Sequence, residues 1–116
     1  MENNSMELVK TAFAALDEKK AEDIKVIDIS QISVFADCFI IATGNNSSHL
    51  DALVDNVEKK MSEKKYYARQ TEGRNSSWVL MDYNDVIVHI FSKEDREFYD
   101  LERIWKDGTI IESEMM

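Results

Sequence analysis

Ala36-Asp37-Cys38-Phe39-Ile40-Ile41-Ala42-Thr43, closed by Gly44, is the run that most restricts the fold. It reads as a strand that is apolar on both faces. A strand of that kind belongs in the middle of a sheet, with packed layers on both sides. Its apolar core, residues 38–42, is far too short to cross a bilayer. The rest of the chain therefore has to supply neighbouring strands and covering helices.

Periodicity supplies them. Met6, Val9, Phe13 and Leu16 recur at helical spacing within residues 5–20. Residues 24–29 read as a strand, with Ile24, Val26 and Asp28 on one face and Lys25, Ile27 and Ile29 on the other. Leu50, Leu53, Val54, Val57 and Met61 form one apolar stripe over residues 47–64, with Asn46 or Ser47 as its cap. Residues 66–71, 77–82 and 85–91 read as three further strands, the last two joined as a hairpin through Tyr83-Asn84. Residues 96–106 read as one closing helix with Phe98, Leu101, Ile104 and Trp105 inward or at a contact. The expectation is an α/β fold: a mixed five-stranded sheet with helices packed against it. One domain is expected over residues 1–107, followed by an acidic, frayed tail over 108–116.

Charge narrows the partners. Asp and Glu outnumber Lys and Arg 23 to 14, a formal net charge of −9. Binding an array of phosphates needs clustered cations, so direct nucleic-acid binding is disfavoured and a basic protein partner is favoured. The single cysteine, Cys38, allows no internal disulfide and fits a reducing cytoplasm. With no targeting signal in the polar N-terminal residues, no membrane role is expected.

The candidate chemistry is thin. The strand–loop–helix around Gly44-Asn45-Asn46-Ser47-Ser48 could attract a phosphate, but it has one glycine and no following lysine. It matches neither the Walker pattern nor the dinucleotide fingerprint. The element order suits a nucleotidyltransferase, whose metal ions need carboxylates alternating along one strand. The nearest acidic pair, Asp82 and Asp85, spans a turn instead. His49, His89 and Cys38 lie on separate elements without ligand spacing, so no metal site is expected. Cys38 reads as a core thiol and His89, beside Ile87 and Phe91, as a hydrogen-bonded structural histidine. No catalytic residue and no cofactor are assigned.

Trp78, Leu80 and Asp82 share one strand face. They are either core under a helix or an apolar anchor on an open face; the pattern alone is compatible with both.

Four segments in order settle the comparison. Residues 36–45, Glu72-Gly73, residues 78–91 and the run Arg96-Glu97-Phe98-Tyr99-Asp100-Leu101-Glu102-Arg103-Ile104-Trp105 together resemble the Iojap, or ribosomal silencing factor, family. The resemblance runs from the first helix to Trp105. It implies a nucleotidyltransferase-like topology lacking the catalytic carboxylates, and a protein that is not an enzyme. It implies binding to ribosomal protein fourteen of the large subunit, a steric block to joining of the small subunit, and lowered translation. Organelle relatives imply the alternative of large-subunit assembly or maturation; a residual nucleotidyltransferase is the more distant rival. Matching motif to motif, the partner-binding residues are Arg74, Ser77, Trp78, Leu80, Asp82 and Tyr83. Glu72, His89, Arg96, Tyr99, Glu102 and Trp105 form a supporting network behind them. Without a ribosome, the Trp78–Leu80 face could pair with a second copy as a homodimer. Two departures stand out: Cys38 where the family often has an aromatic residue, and Asn84 where glycine is common in the hairpin, a position asparagine also fills at positive φ.

Overall fold

The computed structural model describes residues 3–104, 106 and 108–111, without the side chains of Asn3 and Ile104. Ten elements follow in order: α1 (Asn3–Glu18), β1 (Glu22–Asp28), β2 (Cys38–Gly44), α2 (Ser47–Glu63), β3 (Gln70–Glu72), β4 (Trp78–Asp82), β5 (Val86–Ser92), α3 (Lys93–Tyr99), α4 (Leu101–Ile104) and β6 (Thr109–Ile111). One mixed sheet runs β3-β4-β5-β2-β1-β6. The apolar run of residues 38–44 lies near its centre, buried at every position. It pairs parallel with β5, from Cys38 opposite Val86 to Gly44 opposite Ser92. Every other pairing is antiparallel.

α1 and α2 cover one face. From α2 the expected stripe of Leu50, Leu53, Val54, Val57 and Met61 is buried, and Asn46 caps the helix by accepting from the His49 amide at 2.8 Å. From α1 the inward residues are Leu8, Val9, Ala12, Ala15 and Leu16, while Met6 and Phe13 are only partly covered. Asn56 ties the two helices by donating to the Ala15 carbonyl at 2.7 Å. Against them pack Val26, Cys38, Ile40, Ala42, Val79, Met81, Val88 and Ile90.

The opposite face holds a smaller cluster of Ile27, Ile29, Ala36, Phe39, Ile41 and Phe91. Among the described residues, it is covered by the turn that carries Ile29 and Ala36 and by α3 and α4. This asymmetry positions the candidate site.

The structure differs from expectation at the C-terminus. The sheet has six strands, because residues 109–111 pair with β1 (Val26 opposite Ile111) instead of fraying with the tail. The closing helix is two short ones, broken where Asp100 takes the left-handed conformation at φ 46°. Trp105 and residues 112–116 lie outside the described residues. Among the described residues, no helix is long and apolar enough to cross a membrane.

Candidate functional site: an open aromatic sheet face

Period-two alternation sends Val79 and Met81 of β4 into the helix-covered core and Trp78 and Leu80 to the thinly covered face. Register places Trp78 beside Phe91 and Leu80 beside His89. Only part of this surface is roofed, so Trp78, Leu80 and Ile87 remain half-buried. A shallow depression of about 200 Å³ lies between Trp78, Leu80, Glu72 and Gly73. Gly73 shapes its rim: φ is +79°, and a Cβ there would stand 2.2 Å from the Trp78 carbonyl oxygen.

Rings stack continuously across this face. Phe39 meets His89 edge-on at 4.8 Å. Trp78 stacks on Phe91 at 4.9 Å and meets Tyr99 at 4.6 Å with the rings tilted by 45°, and Phe98 meets Tyr99 edge-on at 5.1 Å. Trp78 Nε1 donates to His89 Nδ1 at 3.2 Å. That bond leaves the proton of the neutral imidazole on Nε2, which is buried without a partner among the described residues. Burial pushes the His89 pKa down to about 4, so the ring accepts from Trp78 in its neutral form.

Arg96 fastens α3 to the sheet. Its Nη1 donates to Thr43 Oγ1 at 2.8 Å and to the Asp23 carbonyl, and its Nε donates to Glu102 Oε1 at 3.0 Å. Lys25 Nζ meets the second Glu102 oxygen at 3.1 Å. Burial opposes ionisation of Glu102, but Arg96 and Lys25 outweigh it and hold the carboxyl below the usual range. A cleft of about 380 Å³ opens beside Arg96 and Thr43, rimmed by Glu22, Asp23, Glu97 and Asp100. Those carboxylates make it unfavourable for a nucleotide's phosphates. Among the described residues, no group of three or more His, Cys, Asp or Glu is placed to hold a metal ion.

A family model described as "Ribosomal silencing factor during starvation" matches residues 2–116. The chain belongs to the ribosomal silencing factor family. Ribosomal silencing factor RsfS of Bacillus subtilis is 37% identical over 108 residues, covering 92% of each chain. A crystal structure of a Chromobacterium violaceum protein superposes with a TM-score of 0.86 at 34% identity, covering 91% of this chain and 88% of that one. The mouse "Mitochondrial assembly of ribosomal large subunit protein 1" is 30% identical over 94 residues, covering 78% of this chain and 41% of the mouse protein.

The residues drawn from the silencing-factor motifs divide into three places. Trp78 and Leu80 stand on the open face, with Glu72 paired to Leu80 on the neighbouring strand. Ser77 is exposed at the start of β4, its hydroxyl donating to Asp95 of α3. Arg74 and Tyr83 go to the helix side: Arg74 is ion-paired with Glu58 of α2, and the Tyr83 ring lies in the core under the helices. Burial, with Glu58 nearby, pushes the Tyr83 phenol up to about 12. Asp82 is buried at the hairpin, accepting from Arg69 Nη2 and from the Asn84 amide, both at 2.8 Å. Asn84 sits at φ 72°, as a hairpin turn requires. Of the supporting set, His89 and Tyr99 touch Trp78, whereas Arg96 and Glu102 pair with each other and with Thr43, Asp23 and Lys25. Cys38 is a core thiol, pushed up to about 12 by burial and by the Asp28 charge. Of the two readings of Phe98, inward or at a contact, the inward one does not hold: the ring is 81% exposed. Its place one residue before Tyr99, on a helix too short to bury two adjacent aromatics on one side, was the available signal.

Proposed function

We propose that this protein docks on the large ribosomal subunit through the open face centred on Trp78 and Leu80, and so blocks joining of the small subunit and lowers translation. The observation that carries the reading is the continuous ring stack on a rigid sheet, left half-open beside a shallow depression. Aromatic anchors flanked by a pocket are what interface centres use. The partner is ribosomal protein fourteen of that subunit, a basic protein surface that a chain of net charge −9 can approach by electrostatic steering. Direct RNA contact contributes little. The inhibition is steric and needs no catalysis, metal or cofactor. The protein works in the cytoplasm, and the same apolar face permits a homodimer when no ribosome is present.

A second reading has a specific support: the mouse relative is named for assembly of the ribosomal large subunit. In that case the same face would engage precursor particles. Sucrose-gradient sedimentation of purified subunits tests the first reading. The expected result is co-migration with the large subunit and a smaller joined-ribosome peak. Unchanged joining with the protein left at the top of the gradient refutes it, and binding to precursor particles alone favours assembly.

A further inference from the structure

Phe98 is the outermost ring of the stack that begins in the core. Its edge-on contact with Tyr99, and that ring's contact with Trp78, make it continuous with the proposed docking face. Around it α3 is acidic. Glu94, Glu97 and Asp100 are exposed, whereas the helix's Arg96 is buried and spent on Thr43, Asp23 and Glu102. Lys93 is the one exposed cation on α3, at its first position. Glu94 and Phe98 are four residues apart, so the carboxylate and the ring share one helix face.

We propose that Phe98 and Glu94 form a seat for an arginine side chain of the basic protein partner. The guanidinium lies over the ring, where the π-cloud attracts a cation, while its N–H groups reach the carboxylate. This rests on the docking reading and extends it from an apolar anchor to a paired cation site on α3. A nucleic-acid base could also stack on Phe98, but its phosphates would then approach Glu94, Glu97 and Asp100. A second copy of this chain would bring the same acidic helix against itself.

The test is co-sedimentation titration of purified large subunits with wild-type and variant protein. Wild-type protein that fails to bind overturns the docking reading itself; the remaining arms address the seat. Because Phe98 is exposed, Phe98→Ala is expected to melt like wild type while binding about three- to thirtyfold more weakly. Phe98→Trp should retain binding, Phe98→Leu should not restore it, and Glu94→Gln should weaken it. Wild-type affinity for Phe98→Ala overturns the proposal. So does full rescue by Phe98→Leu, which would mean a merely apolar seat. Tighter binding by Glu94→Gln also overturns it, since removing a carboxylate helps only a polyanionic partner.

Discussion

Trp78 belongs to both the core and the surface, and its energetics follow from that. One side of the indole packs on Phe91 and Tyr99 and its N–H is bound by His89, while the ring stays only half-buried. Trp78→Ala should therefore cost about 1–3 kcal/mol of stability, less than the roughly 3–5 kcal/mol of a wholly buried aromatic. It should weaken docking by more than about 2 kcal/mol, as an interface anchor does. Thermal melts by circular dichroism read the first and co-sedimentation the second; a folded variant with intact docking removes Trp78 from the anchor role. His89 carries a pH signature. Its folded pKa of about 4 lies below the ordinary 6.5, so in acid the unfolded chain takes up a proton that the folded chain refuses. Stability contributed by neutral His89 is complete above pH ~6.5 and is lost as pH falls towards about 4, by up to ~3 kcal/mol. His89→Phe should flatten that stretch of the stability profile in urea melts at stepped pH. An unchanged slope would assign the acid sensitivity to other groups, Glu102 first among them.

At the scale of elements, the β3–β4 connection decides where the anchor points. Gly73→Ala puts a methyl against the Trp78 carbonyl at a positive φ, and backbone cannot yield as a flexible side chain can. The expected cost is about 2 kcal/mol or more, with docking lost beyond what the stability change explains; urea melts and binding on the same sample separate the two. How far such elements could be read from sequence depended on whether their cause was local. The central β2, the α2 stripe, the Asn46 cap and the Asn84 hairpin each rest on neighbours within a few residues, and all four stand as expected. The break at Asp100 does not. Apolar spacing through Phe98, Leu101 and Ile104 continues smoothly, yet Asp100 caps the helix in the left-handed conformation, while Arg96 turns inward to Thr43 and Asp23, 53 and 73 residues away in sequence. β6 is three residues in an acidic tail, and it becomes a strand only because β1 offers an open edge. The division of Arg74 and Tyr83 from Trp78 and Leu80 was partly legible, since Trp78 and Leu80 alternate with Val79 and Met81. The pairing of Arg74 with Glu58 on α2 was not.

At the scale of the whole molecule, two forces of different range act in the proposed docking. The net charge of −9 acts at a distance and is screened by salt; the Debye length falls from about 10 Å at 0.1 M to about 3 Å at 1 M. The ring stack acts only on contact, and apolar burial is not weakened by salt in that way. If steering brings the acidic chain to a basic subunit protein and Trp78 then holds it, raising salt should act mainly on encounter and touch release only through the Glu94–arginine pair. Stopped-flow association with isolated large subunits should show an on-rate falling about tenfold or more between low and high salt. The off-rate should change by less than about twofold, and Trp78→Ala should raise it at every salt concentration. An off-rate that rises steeply with salt would mean that ion pairs, not the aromatic face, hold the complex. In that event the acidic helix α3 would replace β4 as the principal contact.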